Sequence, residues 1–185
     1  VTFTAAPDFE APGDAGGDNV YDIVVTATAG GQAVTQNVAI TVTNVNDNAP
    51  SFTSGTTASV AENQTAAYTA AATDADGDAV SYSLSGTDAA LFDIDASTGA
   101  VTFKAAPDFE SPGDDGGDNV YDVVVTATAG GQTVDRSVAI TVTNVNDNAP
   151  SFTSGTTASV AENQTAAYTA AATDADGDAG SYSLS

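Results

Sequence analysis

Val142-Thr143-Asn144-Val145-Asn146-Asp147-Asn148-Ala149-Pro150 occurs twice in the chain, word for word, the earlier copy running from Val42 to Pro50. Each copy begins as a β-branched run and ends as an Asn/Asp-rich segment closed by proline. That is the pattern of a strand that leaves one domain and is handed stiffly to the next. The side-chain oxygens and carbonyls of such a segment are the donor set of a hard cation such as calcium. The stretch predicts a calcium-clamped joint between repeated β domains.

Working outward, residues 1–85 match 101–185 at a shift of 100, with nine differences. A period of that length is a whole small domain rather than a solenoid repeat. Most differences are surface-like exchanges: Thr4 for Lys104, Ala15 for Asp115, and the cluster Ala33, Thr35, Gln36, Asn37 against Thr133, Asp135, Arg136, Ser137. The proline-closed joint sets the expected boundaries. Residues 1–49 are the second half of one repeat, 50–149 a complete repeat, and 150–185 the first part of the next. Val1 opens in mid-pattern, as in an internal piece of something longer.

Within the complete unit the apolar period is two, the period of strands. Ser59-Val60-Ala61 is a short first strand, and Ala67 to Thr73 alternates with Tyr68, Ala70 and Ala72 on one face. Val80, Tyr82 and Leu84 form the inner face of a third strand. Phe92 and Ile94, then Val101 and Phe103, straddle a turn at residues 96–99. Tyr121, Val123, Val125 and Ala127 alternate inward along Val120–Ala129, and Val138, Ile140 and Val142 along Val134–Asn144. Gly130-Gly131 between them reads as a hairpin turn, because glycine tolerates positive φ. Seven short strands with regular turns predict an all-β fold, a seven-stranded antiparallel Greek-key sandwich of the immunoglobulin-like kind. No segment has helical periodicity. The core is alanine-rich, and alanine buries little apolar area, so the domain is expected to need its metal for full stability.

Composition narrows the function. Asp and Glu number 25 against Lys104 and Arg136, a formal net charge of −23. Phosphate binding needs clustered Lys and Arg, so nucleic acid and anionic membrane surfaces are excluded as partners. A hydrophobic fraction of 42% in alternating runs argues against an acidic disordered chain. No cysteine is present to form a disulfide, and no run reaches the roughly 18 apolar residues of a membrane span. His, Cys, Trp and Met are absent, so nothing supplies a base poised near neutrality, and paired carboxylates alone do not make a glycosidase. The chain does not read as an enzyme.

Four acidic groups fall at strand ends: Glu62-Asn63, Asp74-x-Asp76, Asp108-x-Glu110 and Asn144-x-Asn146-Asp147-Asn148-x-Pro150. These motifs, with Tyr82, Phe92-Asp93-Ile94, Ser97-Thr98-Gly99 and Tyr121-x-Val123-x-Val125-x-Ala127, resemble cadherin repeats, especially those of large bacterial surface adhesins. The resemblance covers the whole chain. It implies calcium at each joint, held in three positions. Glu62, Asp108, Glu110 and Asp147 would hold one ion. Glu62, Glu110, Asp147, Asp176 and the Val145 carbonyl would hold a second. Asn146, the Asn148 carbonyl, Asp174 and Asp176 would hold a third. Six carboxylates then balance three divalent ions. The first joint would repeat this with Asp8, Glu10, Asn46, Asp47, Asn48, Asp74 and Asp76.

Two departures stand out. The aspartate that such repeats carry after the sixth strand is Ala129 here and Ala29 in the earlier copy, so the third position is expected to be weak or empty. The linker's first aspartate is Asn44 or Asn144.

Asp74–Asp78 is not an EF-hand loop, since its twelfth position is Ser85 rather than glutamate. The loop Gly113–Asn119 reads as solvated, and the sequon Asn63-Gln64-Thr65 is discounted because Asn63 belongs to a motif. The expected role is a calcium-rigidified extracellular spacer in cell adhesion, its partners being neighbouring repeats of the same or an adjacent chain. Alternatives are a glycan-binding or homophilic module, and a filament built by head-to-tail completion of half-repeats.

Overall fold

A computed structural model describes residues 1–185. A hairpin precedes the first joint: β1 (Val20–Ala29) and β2 (Gln32–Thr41) pair antiparallel from Val20↔Thr41 to Ala29↔Gln32. Between the joints lie β3 (Ser51–Phe52), β4 (Thr57–Ala61), β5 (Ala66–Thr69), β6 (Ala72–Thr73), β7 (Ser81–Ser85), β8 (Phe92–Ile94), β9 (Ala100–Phe103), β10 (Val120–Ala129) and β11 (Gln132–Thr143). Beyond the second joint, β12 (Ser151–Phe152) pairs with β13 (Ala172–Thr173). β10 and β11 repeat the register of β1 and β2 residue for residue, as their near-identical sequences require.

One sheet has the order β4-β11-β10-β7; the facing layer is β3-β6 together with β5-β9-β8. Counted as two interrupted strands, β3/β4 and β5/β6 bring the total to the seven expected. The interruption in the first lets the chain cross between layers. β3 pairs with β6 in one, and β4 then runs parallel to β11 in the other, from Thr57↔Ala139 to Ala61↔Thr143. This parallel pair is a correction to the fully antiparallel expectation. It follows from the joint: the chain enters and leaves the unit in the same direction, so first and last strands side by side must point the same way.

The core holds the valines and isoleucine expected on the inner faces, with Val125, Ile140 and Val142 fully buried. Phe92, Phe103 and Tyr121 plug one end, their ring centroids 4.4, 5.8 and 5.1 Å apart, two of the pairs edge-on. On β5 the expected grouping of Tyr68 with Ala70 on one face slips by one residue. Ala67 is buried, whereas Tyr68 is half-exposed and donates its hydroxyl to the Gly55 carbonyl at 2.6 Å. A bulge against β9 between Ala66 and Tyr68 shifts the alternation, since one extra residue swaps the faces. A single 3₁₀ turn, Ala89–Leu91, also escapes the strand pattern.

The loop Gly113–Asn119 is solvated at most of its positions, as expected, but not at all of them. Asp114 and Asn119 are buried, and the Asp114 carboxylate accepts the N–H groups of Asp118 and Asn119 at 3.1 Å each. Buried Asp88 ties this loop to the sheet, accepting from Asp115 N–H at 2.9 Å and Asp122 N–H at 2.7 Å. Burial pushes the Asp114 pKa up, but the converging N–H groups outweigh it and leave the carboxyl below its ordinary value. A depressed folded pKa gives stability that is full above the unfolded pKa and is lost as pH falls through the folded one. Asp114→Asn is therefore expected to melt below the parent at pH 7, with the gap closing below about pH 4. Thermal melts of both proteins across pH 2–7 check it.

Candidate metal centre at the joints

The ends of β4 and β11 and the segment before β10 meet at one pole of the complete unit. There Glu62 is 2% exposed, the most deeply buried carboxylate of the chain. Its two oxygens accept the N–H groups of Phe109 and Val145, each at 2.7 Å. It thereby brackets the linker against the Asp108–Glu110 segment. Asn63 beside it adopts φ 65°, a left-handed geometry that asparagine tolerates, and its amide donates to the Asp147 carboxylate at 2.6 Å.

Glu62, Glu110, Asp147 and Asp176 each bring one carboxylate oxygen within 4.8 Å of the others. They come from the complete unit, the linker and the segment beyond it. At the first joint Glu10, Asp47 and Asp76 converge in the same way. Like charges so close repel by about 4 kcal/mol per pair at an effective dielectric near 20. Neither basic side chain relieves this, since Lys104 lies near Asp93 and Arg136 stacks over Phe52. Besides Asn63, the donors come from Asn148: its amide reaches Asp147 at 2.7 Å and Asp176 at 3.2 Å, and its backbone N–H reaches Asp176 at 2.8 Å.

Glu110 Oε1 and Glu10 Oε1 are buried and accept no hydrogen bond. Burial first, then the neighbouring charges of Glu62 and Asp176, raise the Glu110 pKa above its ordinary value. Glu10 is raised by burial and by Asp76 and Asp47. Asp76 and Asp176 go the other way: burial acts upward, but donation from Asn48 and Asn148 wins and holds them low. Crowded hard oxygens with orphaned acceptors fit a calcium-sized cation, which takes six to eight such ligands.

Among curated proteins, human Protocadherin-23 is 34% identical over 147 residues and human Protocadherin gamma-A5 is 34% identical over 155. These cover 72% and 76% of this chain but only 4% and 16% of the relatives, so the chain spans a small part of the proteins it matches. Among solved structures, the protocadherin gamma-B4 extracellular domain superposes with a TM-score of 0.60 at 27% identity, over 80% of this chain and 23% of that one. A protocadherin gamma-B7 cis-dimer structure reaches 0.70 over 85% of this chain and 44% of that one, at 24% identity, which speaks for the fold alone. No family model matches.

The complete unit is a cadherin-like repeat.

The matched protocadherin gamma-B4 structure is of an extracellular domain, and the chain is accordingly an extracellular, cell-surface module. No helix in it is long and apolar enough to cross a membrane. The relatives are mammalian protocadherins, which lends no support to the bacterial origin expected from the motifs.

Not every expected ligand of the repeat lies in the carboxylate cluster. Asp108 and Asp8 stand beside it, each accepting the N–H of the glutamate two residues on at 3.1 Å. Asp174 accepts the N–H of Asp176 at 3.1 Å, and Asp74 that of Asp78 at 3.2 Å, with Asp74 Oδ2 buried and unpartnered. Val145 contributes its N–H to Glu62. Asn146 donates to Asp178, and Asn46 donates to Asp78. Asp78 and Asp178, four residues after Asp74 and Asp174, thus reach the linker asparagines although the motif pattern omits them. The departure at the linker's first position has a structural use. Asn44 donates to the Asp76 carbonyl at 2.8 Å and Asn144 to the Asp176 carbonyl at 2.9 Å, which an aspartate could not do.

Proposed function

We propose that calcium binds the carboxylate centre of each joint and that the repeats act as a rigid spacer in cell adhesion. The carrying observation is that Glu62, Glu110, Asp147 and Asp176 converge to within 4.8 Å and that Glu110 among them has a buried, unpartnered oxygen. The repeats in question span residues 1–49, 50–149 and 150–185, with the joints at Val42–Pro50 and Val142–Pro150. Glu62, Glu110, Asp147 and Asp176 would hold the cation at the second joint, and Glu10, Asp47 and Asp76 at the first. When bound, the ion supplies positive charge that no side chain there provides. The residues themselves do the positioning. Glu62 pins the linker backbone, Asn63 orients Asp147, and Asn148 orients Asp176.

Cation binding then joins three segments that otherwise repel. The partner of each repeat is the next repeat, in the same chain or an adjacent one. Isothermal calorimetry with calcium chloride tests the proposal. Saturable binding whose stoichiometry falls in the Asp147→Asn, Asp176→Asn double variant, leaving only the first joint's share, supports it, and a silent titration of the parent chain sinks it.

A further inference from the structure

The third cation position implied by the cadherin resemblance does not fit the first joint as the chain builds it. That position calls on Asn46, the carbonyl of Asn48, Asp74 and Asp76. Here Gln132 Nε2 donates to Asn46 Oδ1 at 3.0 Å and to the Asn48 carbonyl at 3.0 Å. Two of the oxygens that would face an ion therefore converge on one amide nitrogen. Asn46 spends the rest of its amide on the Gly130 carbonyl at 3.0 Å and on the Asp78 carboxylate. Asp76 Oδ2 is taken by the Asn48 N–H at 2.8 Å. Ala129, buried in the position where such repeats carry an aspartate, brings no oxygen.

We infer that the side-chain amide of Gln132 fastens the joint at this third position in place of a cation. The inference rests on the calcium reading of the neighbouring carboxylate centre. An amide N–H₂ carries partial positive charge and two donors, so it satisfies two oxygens at once, without regard to calcium concentration. The turn is shaped for it. A Cβ on Gly130 would lie 1.4 Å from Asn46 Nδ2, whereas one on Gly30, at the same turn of β1–β2, meets nothing within 4 Å. Only glycine lets the linker come this close. The joint then has two fastenings, a carboxylate centre that responds to calcium and a glutamine latch that does not.

Gln32 is an internal control, being the same residue at the same turn but exposed to solvent. In the ¹⁵N-labelled full chain under excess chelator, the Gln132 side-chain amide protons are expected to exchange about fivefold more slowly than those of Gln32. That factor corresponds to a net hydrogen bond of about 1 kcal/mol. Calcium leaves the difference in place, Asn46→Ala narrows it to what the Asn48 carbonyl alone retains, and Asn46→Ala leaves the calorimetric calcium count unchanged. Equal exchange of the two glutamines in chelator overturns the inference. So does release of Gln132 on adding calcium, or loss of one bound ion in Asn46→Ala. If the parent binds no calcium at all, the proposed function falls, and the comparison of the two glutamines still decides whether the latch exists.

Discussion

In excess chelator the chain melts about 10–20 °C lower than in calcium at 100 times its dissociation constant. One ion at that excess adds about 2.7 kcal/mol, and each kcal/mol moves the midpoint of a domain of 60–100 residues by about 4–8 °C. The deficit has a second source. Without the ion, Glu62, Glu110, Asp147 and Asp176 remain within 4.8 Å of one another, and their repulsion opens the joint. Small-angle scattering under the same conditions should show a larger radius of gyration and a blurred inter-repeat distance. Raising sodium chloride to 1 M shortens the screening length to about 3 Å, so the chelator deficit should shrink there. Coincident melting and scattering profiles with and without chelator would reject the calcium-dependent joint.

Replacing Glu62 has the second largest expected effect, and its sign depends on calcium. Glu62→Gln keeps the size of the side chain and one carbonyl oxygen for the bracket between Phe109 and Val145, but removes a charge from the cluster. Affinity for calcium should fall about 100-fold or more, because a unit charge near a cation at an effective dielectric of 20 is worth several kcal/mol. In chelator the same substitution relieves repulsion with Glu110 but turns an amide N–H₂ toward one of the two backbone N–H donors; the two effects offset, so Glu62→Gln should melt within a few degrees of the parent. Glu62→Ala differs. It orphans two N–H groups at about 1–3 kcal/mol each and should destabilise the repeat in both conditions. Calorimetry and thermal melts of the two variants, with and without calcium, separate these roles. Should Glu62→Gln melt equally far below the parent in calcium and in chelator, Glu62 would be a structural bracket only.

The sandwich was legible because valine alternation along Val120–Ala129 and Val134–Asn144 permits one inner face, and Gly130-Gly131 permits one turn. Tyr68 was misplaced because a bulge adds one residue to a strand without marking the sequence: Ala-Ala-Tyr reads the same with or without it. The burial of Asp114 in its loop was missed for a related reason. A glycine- and aspartate-rich run looks solvated unless its carboxylate has backbone donors to collect, and those appear only once the loop is closed by Asp88. At the joint, the convergence of Glu62, Glu110, Asp147 and Asp176 could be anticipated from motifs at strand ends. Gln132 could not. Its partners Asn46 and Asn48 lie more than 80 residues earlier, and a lone glutamine in a hairpin carries no signal of its own.

The two linkers are identical in sequence and share their asparagine contacts with the aspartate segment that follows β6 or β13. Asn48 N–H to Asp76 and Asn148 N–H to Asp176 are both 2.8 Å, and the Asn44 and Asn144 bonds differ by only 0.1 Å (2.8 and 2.9 Å). Two joints held by the same contacts would apply one rotation and one translation to the units they carry. Repeated along an array, one such operation generates a screw whose pitch is fixed by a handful of asparagine contacts. Errors compound as faithfully as the operation does. A degree of play at one joint becomes the persistence length of the whole array, so the stiffness of a long assembly of these repeats is set by its nine-residue seams rather than by its sandwiches.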